Sequence, residues 1–268
     1  MSYIRNLIYY IKMYILFVKA SIKGMMGYRV DLIIGTFSQI VTQGLELLFI
    51  YIIFSVSGSI GGWNIYNILL TYGLINIAMG ISDFIMDEVY SLGSKYLKQG
   101  LIDMILLRPV HPIISIAGNS RSLTSIGYII AGIIAISISL INLTISINIG
   151  TVLFVAFITF VGGLLIAGIT TIFGVTGFWC YASNEVMWPI FRMTRFSQYP
   201  INIYNDVIKV ILTLVIPYAL VTYYPSLLIL GQSTGLICFI APAVVVIIWL
   251  ICFKVWSFAL RFYKGTGS

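Results

Sequence analysis

The chain has 268 residues, 60% hydrophobic and only 9% charged, with 15 Lys and Arg against 8 Asp and Glu and a formal charge of +7. A water-soluble domain carries roughly 25% charged residues, so the composition excludes that class and indicates an integral membrane protein. Its basic excess is what cytoplasmic loops accumulate, and it does not call for nucleic acid.

Residues 2–28 are apolar but repeatedly charged. Arg5, Lys12 and Lys19 are spaced by seven and Lys23 follows four later, so all four share one helical face. Tyr9, Tyr10, Met13, Ile15, Leu16 and Phe17 fill much of the remainder. The pattern predicts an amphipathic elbow helix over 1–30, lying in the headgroup region with its cations near anionic lipid. Reading it as a first span instead places Lys12 or Lys19 in hydrocarbon, at roughly 2.5 to 3.5 kcal/mol each. The repeated charges also leave no apolar run for a cleavable signal peptide.

Residues 31–268 read as one transmembrane domain. Spanning helices need about 20 largely apolar residues, and six are predicted, at 31–54, 63–89, 123–141, 151–180, 207–230 and 236–258. With the N-terminus in the cytoplasm, every Lys and Arg then falls at or near the cytoplasmic face, including Arg192, Arg195 and Lys209 between the fourth and fifth spans. Pro217 and Pro225 leave open that the fifth span continues as a re-entrant piece on the outer side.

Inside the membrane, Thr36, Gln39, Gln43 and Glu46 recur at three, four and three residues, forming a polar stripe on one face. Such a stripe faces other helices or a water-filled path. Glu46 is expected in the outer half of the bilayer, away from every predicted Lys and Arg. An interhelical hydrogen bond and a place on the translocation path both remain open for it. Asp83, Asp87 and Glu88 lie near the inner end of the second span, where Lys95, Arg121 and Lys209 are expected to neutralise them. Gly163, Ala167, Thr171, Gly174 and Gly177 give the fourth span a small-residue face for close helix approach, within the chain or between subunits.

No catalytic, metal or cofactor site is expected. Cys180, Cys238 and Cys252 sit in or beside apolar runs without metal-ligand spacing. The single histidine rules out an H-E-x-x-H zinc site or a histidine triad, and no G-x-x-x-x-G-K-[ST] phosphate loop occurs.

Two polar segments interrupt the apolar runs, a predicted cytosolic segment at 182–206 and a charged island at 91–112, SLGSKYLKQGLIDMILLRPVHP. In the island, Leu101, Met104, Ile105 and Arg108 recur at helical spacing, predicting a short helix with an apolar side that a groove can bury. Pro109 and Pro112 stop it. The run GLIDMILLRP from Gly100 to Pro109 resembles the cytosolic segment of one bacterial group of ABC-2 type ABC transporter permeases. Tyr199-Pro200 with Tyr204, Ile216-Pro217, Tyr224-Pro225 and Leu230-Gly231 are similar to the same group's second signature. Gln198 and Asn202 depart from it, standing where arginine and aspartate are expected.

The resemblance implies an all-α, type V exporter-like fold, with an amphipathic interfacial helix followed by six transmembrane helices. It implies a non-catalytic permease in the bacterial cytoplasmic membrane, both termini cytoplasmic. Such a subunit pairs with a second permease, identical or homologous, on a dimer of separate ABC ATP-binding subunits that carry the ATP and Mg. Membrane lipid is the other expected partner. Gly100, Leu101, Asp103, Met104, Ile105, Arg108 and Pro109 would then receive motion from the ATPase, and members of the wider class mostly export. The competing readings are a stand-alone secondary transporter or channel using Glu46 and the acidic residues of the second span, and an intramembrane enzyme built on Asp83 and Asp87.

Overall fold

Long apolar segments become helices because in lipid every backbone polar group must be satisfied within its own segment. The computed structural model describes residues 2–25, 27–119, 122, 125–145, 147–180, 182–232 and 237–263, without the side chains of 2–8, 11 and 25. Arg121, Lys264 and the side chain of Arg5 therefore lie outside the described residues. Among those described, the architecture is all-α, with one isolated bridge, Ile60 to Trp63, in a turn.

Among the described residues, five helices are long and apolar enough to cross a membrane. They are α2 (Arg29–Ser57), α3 (Ile65–Met86, continued by tighter and wider turns to Leu97), α6 (Ser125–Asn142), α7 (Ile149–Gly174, continued to Phe178) and α11 (Ala241–Ala259). Helix α1 (Ser2–Met25) precedes them, exposing Lys12, Lys19 and Lys23. It packs on α5 (Pro112–Asn119) so closely that a Cβ on Gly118 would meet Phe17 Cβ at 2.5 Å.

The centre of the bundle is α3 between α6 and α7. A Cβ on Gly73 would lie 2.7 Å from the Gly132 carbonyl oxygen, and one on Gly132 would lie 2.8 Å from that of Gly73. Small residues here let the two backbones touch. The small-residue face of α7 meets the other side of α3. A Cβ on Gly163 would strike Ile81 at 2.5 Å, and one on Gly177 would reach Gly93 Cα at 3.0 Å. That face is consumed within the chain.

The two ends of the bundle differ. The turns at 58–64 and 143–145 close one end, here the Trp63 end, and residues 92–111 lie at the other, the Lys95 end. Between them, α8 (Ser183–Arg192) and the 3₁₀ turns of Met193–Gln198 run antiparallel to α3. Gly93 N–H donates to Ser183 Oγ at 3.3 Å at the Lys95 end. Midway, Tyr90 stacks on Trp188 and meets Phe191 edge-on. Thr71 Oγ1 then donates to the Gln198 carbonyl, and Asn202 Nδ2 donates to the Gly61 carbonyl at 3.0 Å, at the Trp63 end. Ten α-helical and six 3₁₀ residues rise about 27 Å, nearly the ~30 Å of hydrocarbon.

Segment 182–206 is therefore a crossing of the bundle and not the cytosolic segment expected. The expected fifth span, 207–230, is in turn a hairpin that returns to the end it started from. Asp206–Val215 and Tyr218–Ile229 are bent by 72° at Ile216–Pro217. Asp206 follows closely on Asn202 at the Trp63 end, and Tyr223 stacks on Trp63 at 5.5 Å. The turn reaches mid-depth, where Val221 fills the space beside Gly162 and Ala78. The proline supplies the reason: it cannot donate the backbone hydrogen bond that would carry a helix through. The charge placement changes accordingly. Lys209, expected at the cytoplasmic face, sits at the Trp63 end in an ion pair with Asp206 at 3.1 Å.

Candidate functional site

Two groups of polar residues stand out against this apolar frame, one inside the bundle and one at its Lys95 end. Inside, Thr36, Gln39, Gln43 and Glu46 occupy the covered face of α2, while Phe37, Ile40, Val41 and Leu45 point outward. Gln43 is fully buried and accepts from Tyr72 Oη on α3 at 2.8 Å. The Gln39 stem rests on Gly127 of α6, where a Cβ would come within 2.9 Å. Glu46 Oε1 lies 2.6 Å from Arg195 Nη2, and the Gln198 side chain also bonds to the carboxylate.

Glu46 therefore has a cation of its own chain, contrary to the sequence-based expectation. Arg195 reaches it because the 182–206 segment passes through the bundle. The pair is unequal: the Glu46 side chain is 21% exposed and that of Arg195 61%. A cleft of about 420 Å³, walled by Thr42, Leu45, Phe49, Ile50 and Tyr199, opens beside them. Arg195, Gln198, Tyr199 and Tyr72 were not legible as partners of the stripe. The only signal was two arginines, Arg192 and Arg195, in a stretch otherwise rich in aromatic and apolar residues.

The acidic cluster of α3 resolves differently. Both Glu88 oxygens accept from Lys95 Nζ, at 3.0 and 2.9 Å, and Tyr96 Oη adds a third bond at 3.0 Å. Lys209 is at the opposite end and cannot neutralise it.

At the Lys95 end, Gly100 adopts φ +72°, a left-handed conformation that suits glycine and turns the chain into α4 (Leu101–Leu106). Ile102 and Ile105 are the buried anchors of α4, and Leu101 is half-covered. Met104, Leu106 and Leu107 project outward, Leu107 at 87% exposure, and Pro109 is exposed beside them. Asp103 Oδ1 accepts from Tyr263 Oη at 2.8 Å, tying α4 to the segment after α11. Arg108 does not share the outward face predicted for it; its guanidinium turns back over the Phe17 ring of α1, 5.1 Å from the centroid. His111 immediately precedes α5, its Nδ1 accepting from Ile113 N–H at 3.3 Å and its ring edge-on to Phe253 at 5.2 Å. Burial lowers its pKa below the usual 6.5. Among the described residues, no group of three His, Cys, Asp or Glu is arranged to hold a metal ion.

The profile of the ABC-2 family transporter proteins matches residues 40–267. The chain belongs to that family. No curated protein and no solved structure matches it. Membership makes the chain a permease component of an ABC transporter, a multi-pass membrane protein whose family associates with ABC ATP-binding subunits. In this permease α4 occupies the position of the segment that the GLIDMILLRP motif marks. The stripe, the Glu46–Arg195 pair and the cleft lie on the α2 side of the bundle.

Proposed function

We propose that this permease is the membrane subunit of an ATP-driven exporter, coupled to its ATPase through α4 and Leu107. The observation that carries the reading is the outward knuckle of Met104, Leu106 and Leu107 on a short helix anchored by Ile102 and Ile105. Three adjacent large apolar side chains beyond the bundle's end gain nothing from water, whereas a groove on an ATP-binding subunit would bury them. Leu101, Asp103 and Pro109 flank that contact and Gly100 sets its angle. Ile105 belongs to the permease core, and Arg108 to the α1 contact.

In this scheme ATP and Mg²⁺ reside on a dimer of separate ATP-binding subunits, and a second permease, identical or homologous, completes the path. Closure of the ATPase dimer pushes α4 and switches the permeases between two packings. Thr36, Gln39, Gln43 and Glu46, with Arg195, lie along the path or the face between permeases. A charged pair beside an open cleft at membrane depth needs water, substrate or a partner to face it. The charge distribution supports a cytoplasmic Lys95 end and cytoplasmic termini in a bacterial inner membrane. Lys19, Lys23, Arg29, Lys95, Lys98, Arg108, Lys254 and Arg261 belong to that end, against Lys209 at the other.

Co-purification tests the docking. With the ATP-binding subunit co-expressed, Met104→Glu combined with Leu107→Glu is expected to lower its recovery at least tenfold, while the variant permease remains monodisperse. Unchanged recovery would overturn the assignment of α4.

A further inference from the structure

Arg108 poses a problem that the coupling role does not resolve. Its Nη1 is shielded from solvent and has no hydrogen-bond partner, and no ion pair to it forms among the described residues. A buried donor left unmade is costly, more so when charged, and native structures rarely leave one without a bound group to meet it. The Phe17 ring covers one face of the guanidinium but cannot accept from its edge.

Arg108 also lines a cavity of about 280 Å³ between α1, α4 and the inner turns of α3. Ser21 lines it from α1, and Lys95, Tyr96 and Glu88 from α3. Glu88 pairs with Lys95 at 2.9 Å, and among the described residues no carboxylate forms an ion pair with Arg108. Lys95 keeps a third N–H beyond the two given to Glu88. A guanidinium fork with an ammonium nearby matches the oxygens of a phosphate, which takes bidentate bonds from arginine and a point charge from lysine.

We propose that this cavity is a phosphate-binding site, with Arg108 and Lys95 as ligands and α1 as its lid. The phosphate ester of a lipid headgroup and a free phosphate share this chemistry. Bound there, either would join the interfacial helix to α4, making the position of the coupling helix depend on occupancy. The site is separate from the cleft at Glu46, and the proposal stands whether or not the chain exports.

The test uses the full chain, delipidated in detergent, with its melting temperature followed on addition of phosphatidylglycerol, diacylglycerol (the same lipid body without the phosphate) or inorganic phosphate. Phosphatidylglycerol or inorganic phosphate is expected to raise it where diacylglycerol does not. Arg108→Gln is expected to weaken the half-saturating concentration about tenfold, in line with a lost charged hydrogen bond, and Arg108→Lys less. Ser21→Phe fills the cavity without touching its cations and is expected to abolish the response, so it decides the matter if Arg108→Gln does not fold. A shift with phosphatidylglycerol alone identifies the lipid source, and a shift with inorganic phosphate alone the free anion. Equal responses to all three additions, or undiminished responses in both Arg108→Gln and Ser21→Phe, would overturn the site.

Discussion

Glu46 and Arg195 meet at 2.6 Å, and Arg195 is the more exposed of the two. Removing either charge leaves the other unmatched near hydrocarbon, whereas removing both leaves neutral hydrogen-bonding groups. Glu46→Gln and Arg195→Gln are each expected to destabilise by about 1–3 kcal/mol, between the ranges for surface and buried pairs. The double variant should lose less than the sum. Denaturation in detergent of the four proteins measures the coupling, and strict additivity would mean that the pair is incidental. His111 gives the second residue-scale expectation. Its folded pKa is lowered by burial, so the unfolded chain takes up the proton first. Stability from this group is present above about 6.5 and drains away as pH falls through the lowered folded value. Between pH 7.5 and 5.5 the melting temperature of the native chain should fall further than that of His111→Asn, whose amide oxygen can still accept from Ile113. Parallel slopes would show that His111 does not carry the pH response.

The hairpin of α9 (Asp206–Val210) and α10 (Tyr223–Ile229) places Asp206, whose side chain is 95% exposed, at the same end as Ser59. In a background lacking the native cysteines, Asp206→Cys and Ser59→Cys should both react with an impermeant thiol reagent applied to intact cells. Reaction of Asp206→Cys only after lysis would restore the cytosolic reading of 182–206. Close packing offers a second check on element placement: Gly163→Leu must displace Ile81 or the α3 backbone at Ala78. Overpacking of that kind costs about 1–3 kcal/mol, visible as a lowered melting temperature. The five long helices were legible because length and apolarity suffice to specify a helix in lipid, and the family was legible in GLIDMILLRP. The sixth crossing was hidden because Glu185, Pro189, Arg192 and Arg195 give it the composition of a loop. Those residues are affordable only because the segment passes beside α3, a tertiary fact. The run 207–230 misled for the opposite reason, since an apolar stretch of spanning length does not reveal whether it crosses or returns. In α4, spacing identified a helix with an apolar side. It did not tell that Ile102 and Ile105 face the core while Met104 and Leu107 face out, because both sides are apolar.

At the scale of the whole molecule, the question is how a push on α4 would reach the membrane-spanning core. Among the described residues, two of its contacts lead there. Ile102 and Ile105 pack into the cluster that holds Leu92, Tyr96 and Trp256, a broad apolar contact. The other is the single bond from Tyr263 to Asp103, which ties α4 to the end of α11. Helix α11 runs along α7, where Trp249 Nε1 donates to the Leu164 carbonyl at 3.1 Å and Ile248 fills the space beside Gly168. Displacement of α4 through the tyrosine would therefore drag α11 and α7 together. Tyr263→Phe removes the bond and keeps the ring, which sits edge-on to Phe178. One such hydrogen bond is worth about 0.5–1.5 kcal/mol, a factor of roughly 2–12 in the balance between two conformations. The variant is expected to assemble with its ATPase normally, because Met104 and Leu107 are untouched. What should shrink, by that factor, is the ATP-dependent change in thiol labelling of Thr42→Cys, which lines the cleft beside Glu46. A full ATP response in Tyr263→Phe would assign the transmission to the apolar contact alone.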